Sequence, residues 1–211
     1  MINGLAALVL LCAFLAVSSS RMPALVRTFA IQSLALGALA ASVAYFTGST
    51  QIYVVAALTI VLKAFLIPRM LAYVMKRIKV EKEVDPLLNI PSSMLVSGGL
   101  AVLAYYITEP LIAHGGALTR NALALSLAVV FIGFFIMISR RKAITQVVGL
   151  LIMENGLFMA AISVTYGMPL IVELGIFFDV LVAVIILGVF AFRINNTFDS
   201  LDTSSLRRLK D

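Results

Sequence analysis

Seven long apolar segments, separated by short polar breaks, constrain this chain more than any other feature of its 211-residue sequence. Lipid offers no partner to an unpaired backbone group, so such segments cross a bilayer as helices of about 20 residues. Only 12% of the residues are charged, against about 25% in soluble domains, which leaves no room for a soluble domain. The sequence therefore predicts an all-α, polytopic membrane protein with about seven transmembrane helices, over residues 3–20, 24–47, 51–75, 91–108, 121–139, 143–165 and 170–192.

Basic residues are distributed unevenly between the two sides of these predicted spans. The loops on one side carry only Arg120, whereas thirteen of the sixteen basic residues fall on the other side. These thirteen are Arg21, Arg27, Lys76, Arg77, Lys79, Lys82, Arg140, Arg141, Lys142, Arg193, Arg207, Arg208 and Lys210. Positive charge concentrates on the cytoplasmic side of membrane proteins, which predicts an external N-terminus and a cytoplasmic C-terminus. The same rule accounts for the net charge of +6, and we expect no nucleic-acid partner.

The predicted spans divide one transmembrane domain, residues 1–211, into two similar units. Residues 1–78 form a first three-helix unit, residues 79–120 a loop and a linking helix, and residues 121–193 a second three-helix unit. Residues 194–211 form a cytoplasmic tail. Both units run in the same direction, and a basic link joins the first two spans of each, as in parallel repeats of transport proteins.

An acidic residue, Glu154, lies inside the apolar run 147–164 and is followed by Asn155. If the helix begins near Ala143, Glu154 lies roughly 16 Å along it, at about 1.5 Å per residue. That depth is close to the midplane of a hydrocarbon core about 30 Å thick. An ionised carboxylate costs at least about 2.5–3.5 kcal/mol there. The carboxyl group must therefore be paired or remain protonated.

Two further ionisable residues, Lys63 and Asp179, share this predicted depth in other helices. Intramembrane ionisable groups are candidates for a proton or ion path, and a row of them at the midplane suits lateral proton transfer. The alternative interpretation is structural: a neutral, hydrogen-bonded Glu154, or a charge pair such as Lys63 with Asp179, that joins helices. Three amides are candidates to hydrogen-bond these charges or to hold water, namely Gln32, Gln146 and Asn155.

Small residues recur along the same helix at helical spacing and predict a packing stripe. The stripe comprises Gly149, Met153, Gly156, Ala160 and Ser163. Glu154 lies about 100° round the helix from Met153, because each residue of an α-helix turns by about that angle. We therefore expect Glu154 to face a partner subunit rather than the interior of this chain.

Redox and catalytic motifs are absent from the sequence. Cys12 is the single cysteine and His114 the single histidine, so the chain cannot supply a cysteine cluster or a histidine metal site. No stretch resembles a nucleotide-binding loop or a nucleophile elbow. We expect no cofactor and no active site within this chain.

The stretch 139–161, SRRKAITQVVGLLIMENGLFMAA, resembles the three-helix K subunit of respiratory complex I and the C subunit of Mrp-type cation antiporters. In that family a basic pair ends one helix, and a Gly-Leu-Glu-type motif and an Asn follow in the next. The basic pair is matched by Arg140 and Arg141, the Gly-Leu by Gly149 and Leu150, and the Asn by Asn155. The family acid would fall at Leu151, and Glu154 stands one turn deeper on nearly the same face. The second family acid matches Asp179.

The whole chain resembles the component E family of hydrogenase-4 and formate hydrogenlyase complexes. The resemblance rests on the seven spans, the motif 153–156, the motif 173–175, Asp179 and Lys63. The resemblance implies a non-catalytic subunit of a complex I-like, energy-converting hydrogenase in a prokaryotic inner membrane. It also implies antiporter-like subunits and a hydrogenase membrane anchor as partners. The alternatives are an independent or Mrp-like cation transporter component and a structural membrane spacer.

Overall fold

The computed structural model describes residues 2–78, 88–112 and 120–165, and within these ranges the chain is helical and contains no β-strand. A π-helical segment, Ile60–Leu66, joins α3 to α4 without a break. The α-helices are α1 Ile2–Ser18, α2 Met22–Thr47, α3 Thr50–Thr59, α4 Ile67–Ile78, α5 Ile90–Ile112, α6 Arg120–Ser139 and α7 Ala143–Thr165. The predicted all-α class is confirmed.

Among the described residues, five helical stretches are long and apolar enough to cross a membrane. They are α2, the continuous rod Thr50–Lys76 formed by α3, the π segment and most of α4, and then α5, α6 and α7. Helix α1 is apolar but shorter, at 17 residues. Six of the seven predicted spans thus correspond to observed helices, and the protein is a multi-pass membrane protein. The seventh predicted span, 170–192, lies outside the described residues, so the count of seven stays a prediction.

Helix α2 ends at the break that the sequence predicts between the second and third spans. Gly48 has a φ of 66°, in the left-handed region, which glycine adopts without steric cost. Its N–H donates to the carbonyl of Ala44 at 2.9 Å. This C-cap satisfies one of the last backbone carbonyls of α2 and reverses the chain into α3.

Among the described helices, α6 and α7 form the most extensive contact, and glycines allow their close approach. A Cβ atom at Gly156 would lie 2.7 Å from the backbone nitrogen of Val130, and one at Gly149 would lie 2.9 Å from the Cγ of Met137. A Cβ atom at Gly133 would clash with the backbone of Met153. The packing interpretation of the stripe is therefore confirmed at Gly149, Met153 and Gly156.

The bundle has a central part and a peripheral helix. Helix α1 packs against α2 and α6, and α2 in turn packs against the rod and α7. In α7, 67% of the most apolar stretch is buried within the protein, whereas in α5 only 17% is buried. Helix α5 packs mainly on α6 and α1. Polar residues on α2, the rod and α7 therefore face a shared interior.

The π segment replaces regular α-helix just before Pro68, the residue that predicts a kink in the third span. The N–H of Ile67 donates to the carbonyl of Leu62, five residues back instead of four. Pro68 follows directly, and its ring has no N–H and would clash with the carbonyl four residues before it. A widened turn just before Pro68 relieves that clash. Opposite the start of this segment, the side chain of Ile60 packs on Gly37 of α2.

Candidate functional site

Lys63 and Glu154 form an ion pair inside the helical bundle. Lys63 lies in the π segment, Glu154 lies at the midpoint of α7, and the ammonium Nζ is 2.7 Å from the carboxylate Oε1. Lys63 is 2% exposed and Glu154 is 4% exposed. Each charge therefore offsets the cost of burying the other, and removing one partner from such a pair costs about 3–5 kcal/mol.

Asn155 extends the ion pair into a network of side-chain amides. Its Oδ1 lies 3.5 Å from the Nζ of Lys63, and its Nδ2 donates to the Oε1 of Gln32 and to the Oγ of Ser33, both at 3.2 Å. Gln32 then donates from Nε2 to the backbone carbonyl of Val9 at 3.0 Å. The network thus connects α7 to the π segment, α2 and α1.

Burial makes this network a polar core within an apolar bundle. Asn155, Gln32 and Ser33 are all 0% exposed. A buried polar group that loses its partner costs about 1–3 kcal/mol, more when it is charged. The network therefore fixes the relative positions of four helical segments, and it keeps two ionised groups away from lipid.

Phe158 lies one helical turn after Glu154 and covers the ammonium from a third direction. The Nζ of Lys63 is 5.7 Å from the centroid of its ring, which is within the range of a cation–π interaction. Phe158 is itself buried. Glu154, Asn155 and Phe158 thus give one helix three contacts to a single lysine.

The π segment determines where the lysine ammonium is presented. A π turn adds a residue to the helix and so rotates the side chains after it relative to those before it. Such turns occur disproportionately at functional sites. Here the widened turn carries Lys63 and directs it between α2 and α7, whereas the neighbouring Val61 and Phe65 are exposed on the outer surface.

The predicted site residues fall into three groups in the structure. Lys63, Glu154, Asn155 and Gln32 meet in the network. Gln146 does not join it in the described contacts, because its Nε2 donates to the backbone carbonyl of Arg140 at 2.9 Å, in the α6–α7 turn. Asp179 lies outside the described residues.

The expectation that Glu154 faces a partner subunit is wrong. The small-residue stripe of α7 packs on α6, and the adjacent face that carries Glu154 packs on α2 and contacts Lys63 of the rod within the same chain. Because α7 is buried on more than one side, a position 100° from the stripe is still interior. The charged group is therefore an internal element of this chain.

Sequence reasoning did not identify the contacts of Phe158 or of the Val9 carbonyl, nor the role of Arg140. Arg140 was expected as a loop charge, yet it is only 6% exposed and donates from Nη2 to the Val17 carbonyl at 2.8 Å. The last carbonyls of a helix lack partners within the helix, and α1 has no basic residue in its last turn. The lack of a partner for these carbonyls within α1 was the signal in the sequence for a basic residue from elsewhere in the chain. Arg140 joins the two basic turns at one end of the bundle.

The ion pair has the geometry for proton transfer between its members. A donor and an acceptor 2.7 Å apart lie within the range over which general acids and bases exchange a proton. The charged state, ammonium with carboxylate, and the neutral state, amine with carboxylic acid, differ by one proton shift along this hydrogen bond. The hydrogen bond thus provides a direct path between Lys63 Nζ and Glu154 Oε1.

The fold and this site define a multi-pass membrane protein with an ion pair buried in its helical bundle. The chain belongs to the family of a Mycobacterium tuberculosis relative named "Uncharacterized protein Rv0085". The two are 36% identical over 189 residues, which cover 89% of this chain and 86% of that protein.

Nearly the whole chain is also similar to proteins named "Hydrogenase-4 component E" from Escherichia coli and Shigella flexneri. The identity is 25% over 209 residues, which cover 99% of this chain and 97% of those proteins. The resemblance to component E is confirmed at this level, whereas the similarity to the K and C subunits stays a prediction. No protein-family model matches the chain. No solved structure matches it either.

Proposed function

We propose that this chain is a non-catalytic membrane subunit of an energy-converting, complex I-like hydrogenase complex of the formate hydrogenlyase type. In this proposal it lies in the inner membrane of a prokaryote, beside antiporter-like subunits and the membrane anchor of the hydrogenase. It holds no cofactor and no active site of its own. It contributes to proton or cation translocation through Lys63, Glu154 and Asp179.

One observation carries the complex membership: the similarity to hydrogenase-4 component E extends over 99% of this chain and 97% of the relative. A match confined to one apolar helix would have little meaning, because apolar helices resemble one another in composition. A match across all the predicted spans covers the loops between them as well. It therefore supports a shared architecture and a shared role.

The buried ion pair supports the translocation role. Lys63 and Glu154 join the rod to α7 by an ion pair in the interior, and intramembrane ionisable groups commonly mark ion or proton pathways. A relay needs a further titratable group on each side of the pair. We propose Asp179 as the next group within this chain, and charged residues of the antiporter-like subunits beyond it.

A structural role for the pair is the second candidate function. The hydrogen bonds from Asn155 to Gln32 and Ser33 hold α7 against α2. A spacer that only joins larger subunits would need this rigidity and no proton transfer. The two functions differ in whether titration of Glu154 matters, as distinct from its hydrogen bonding.

Complex membership is tested by co-purification from native membranes. A C-terminal affinity tag on the full chain, extraction in a mild detergent and mass spectrometry of the eluate should recover hydrogenase and antiporter-like subunits in fixed ratio. A tagged, unrelated multi-pass protein of the same membrane serves as the control. Isolation of the chain as a stable monomer, with full transport activity after reconstitution in liposomes, would refute the proposal.

A further inference from the structure

A cavity of about 870 Å³ opens between the first half of α2 and the second half of the rod, from the π segment to α4. Its walls are mainly apolar and include Val26 and Ala30 of α2, and Phe65, Pro68 and Met75 of the rod. Walls of this kind disfavour water, because water there would leave its hydrogen bonds unsatisfied.

Three basic side chains also line this cavity: Arg27, Arg69 and Lys76. All three are exposed. Within residues 2–78, 88–112 and 120–165, no carboxylate forms an ion pair with any of them. The guanidinium of Arg69 lies 5.5 Å from the centroid of the Phe65 ring, which holds it at the cavity wall. The cavity thus combines an apolar interior with three positive charges that have no carboxylate partner among the described residues.

The charges also decide between two occupants. The cavity extends to Ala64, next to Lys63, so an entry route for protons or metal cations toward the ion pair is the competing interpretation. Three positive charges along that route would repel a cation, since like charges raise its energy in a low-dielectric environment. The same charges attract an anion.

We propose that this cavity is a binding site for an anionic phospholipid. The phosphate of the headgroup lies among Arg27, Arg69 and Lys76, and an acyl chain packs against Ala30, Phe65 and their apolar neighbours. Basic pockets between transmembrane helices on the cytoplasmic side bind anionic headgroups in this way. The predicted orientation of the chain places these three residues on that side, where anionic lipids attract basic side chains.

The test compares an anionic and a zwitterionic lipid that differ only in the headgroup. The full chain is purified in a mild detergent with any accompanying subunits, and phosphatidylglycerol or phosphatidylcholine with identical acyl chains is titrated in native mass spectrometry. We expect phosphatidylglycerol to bind at least about tenfold more tightly. Arg27→Gln with Arg69→Gln should weaken it by roughly 25-fold, because each basic residue near the headgroups contributes about fivefold.

Matched variants separate this site from general surface charge. Arg21→Gln with Arg141→Gln removes two exposed cations that do not line the cavity, and should change binding by less than about twofold. Equal effects of the two double variants would overturn the proposal. Equal binding of the two lipids to the unmodified protein would overturn it without reference to any variant.

A further pair of variants tests the apolar half of the site. Ala72→Phe fills the cavity and keeps its charges, whereas Ala57→Phe adds the same volume at an exposed position of the same rod. Only Ala72→Phe should reduce phosphatidylglycerol binding. Inorganic phosphate should not displace the lipid, because it lacks the acyl chain. Displacement by phosphate, or full binding to Ala72→Phe, would show that no acyl chain occupies this cavity.

Discussion

Lys63 and Glu154 stand 91 positions apart in the sequence, and their charged atoms lie 2.7 Å apart in the structure. The contact closes the bundle between its third and last described spans. It buries one positive and one negative charge together, so that the interior carries no net charge from the pair. Such pairs contribute little net stability compared with apolar residues of similar size, which leaves specificity or function as the reason to retain one.

The first prediction concerns titration at Glu154. Glu154→Gln keeps the size of the side chain and a carbonyl oxygen that accepts a hydrogen bond from Lys63, but it removes the ionisable group. We expect the complex to assemble at reduced thermal stability, by up to about 3–5 kcal/mol, because the Lys63 ammonium keeps a hydrogen-bond acceptor but loses its counter-charge. Proton translocation by inverted membrane vesicles should fall sharply.

Glu109→Gln is the matched control for this prediction, because Glu109 is an exposed acid of α5 outside the network. It should leave assembly and translocation unchanged. If Glu154→Gln assembled and translocated protons at the normal rate, the relay role of Glu154 would be excluded and the structural role would remain. Asp179→Asn is expected to behave as Glu154→Gln does.

The second prediction uses a double-mutant cycle on the pair. Lys63→Met leaves the Glu154 carboxylate buried without its 2.7 Å partner, which should cost about 3–5 kcal/mol and lower the amount of protein in the membrane. Adding Glu154→Gln removes that charge, so the double variant should be more stable than Lys63→Met alone. The coupling between the two changes should then exceed about 0.5 kcal/mol.

Thermal unfolding in detergent and protein level in membranes measure this cycle. Lys63→Met with Asp179→Asn is the parallel cycle for the pairing with Asp179 that the sequence suggested. Strict additivity between the changes at Lys63 and Glu154 would contradict the contact seen in the structure.

The positions of the spans and the depth of the charges could be predicted from the sequence because both follow from local quantities. Apolar length marks a transmembrane helix, and the rise per residue places Lys63 and Glu154 at similar depth. Their pairing could not be predicted in this way, because the choice of neighbouring helices depends on packing over the whole bundle. The sequence suggested Asp179 as one partner for Lys63 and left open whether Lys63 pairs with Asp179 or with Glu154.

The π segment shows the same limit at shorter range. Pro68 predicts an irregular helix in the sequence. A kink, a break or a widened turn can each accommodate a residue that has no backbone N–H. The close fit of Ile60 against Gly37 of α2 accompanies the widened turn, and that contact joins two different helices. The position of Pro68 therefore predicts where the helix is irregular, but not which kind of irregularity forms.

The third prediction tests the packing of α6 against α7. Gly156→Ala places a methyl group against the backbone of Val130, which cannot move as a flexible side chain can. We expect a loss of about 1–3 kcal/mol in stability, as for other overpacked interiors. Gly99→Ala in α5 meets nothing within 4 Å, so it should be neutral or slightly stabilising, because alanine favours a helix more than glycine does.

The melting temperatures of these two alanine variants, measured in the same detergent, provide the comparison. Because both changes add one methyl group to a helical glycine, the difference between them isolates the effect of the neighbouring helix. Equal melting temperatures would mean that α6 and α7 lie farther apart than the structure places them.

The last prediction is the orientation of the chain in the membrane. Arg140 donates to the Val17 and Ser19 carbonyls at the end of α1, so the basic turns after α1 and after α6 lie at the same end of the bundle. The positive-inside rule makes that end cytoplasmic. An alkaline phosphatase fusion at Gly115 should be active outside the cytoplasm, and a green fluorescent protein fused to the C-terminus should fluoresce inside it. Fusion of each reporter at the other site is the control and should give no signal. A fluorescent fusion at Gly115 would show that the bundle has the opposite orientation in the membrane. An active phosphatase at the C-terminus would mean that residues 166–211 do not cross the membrane once.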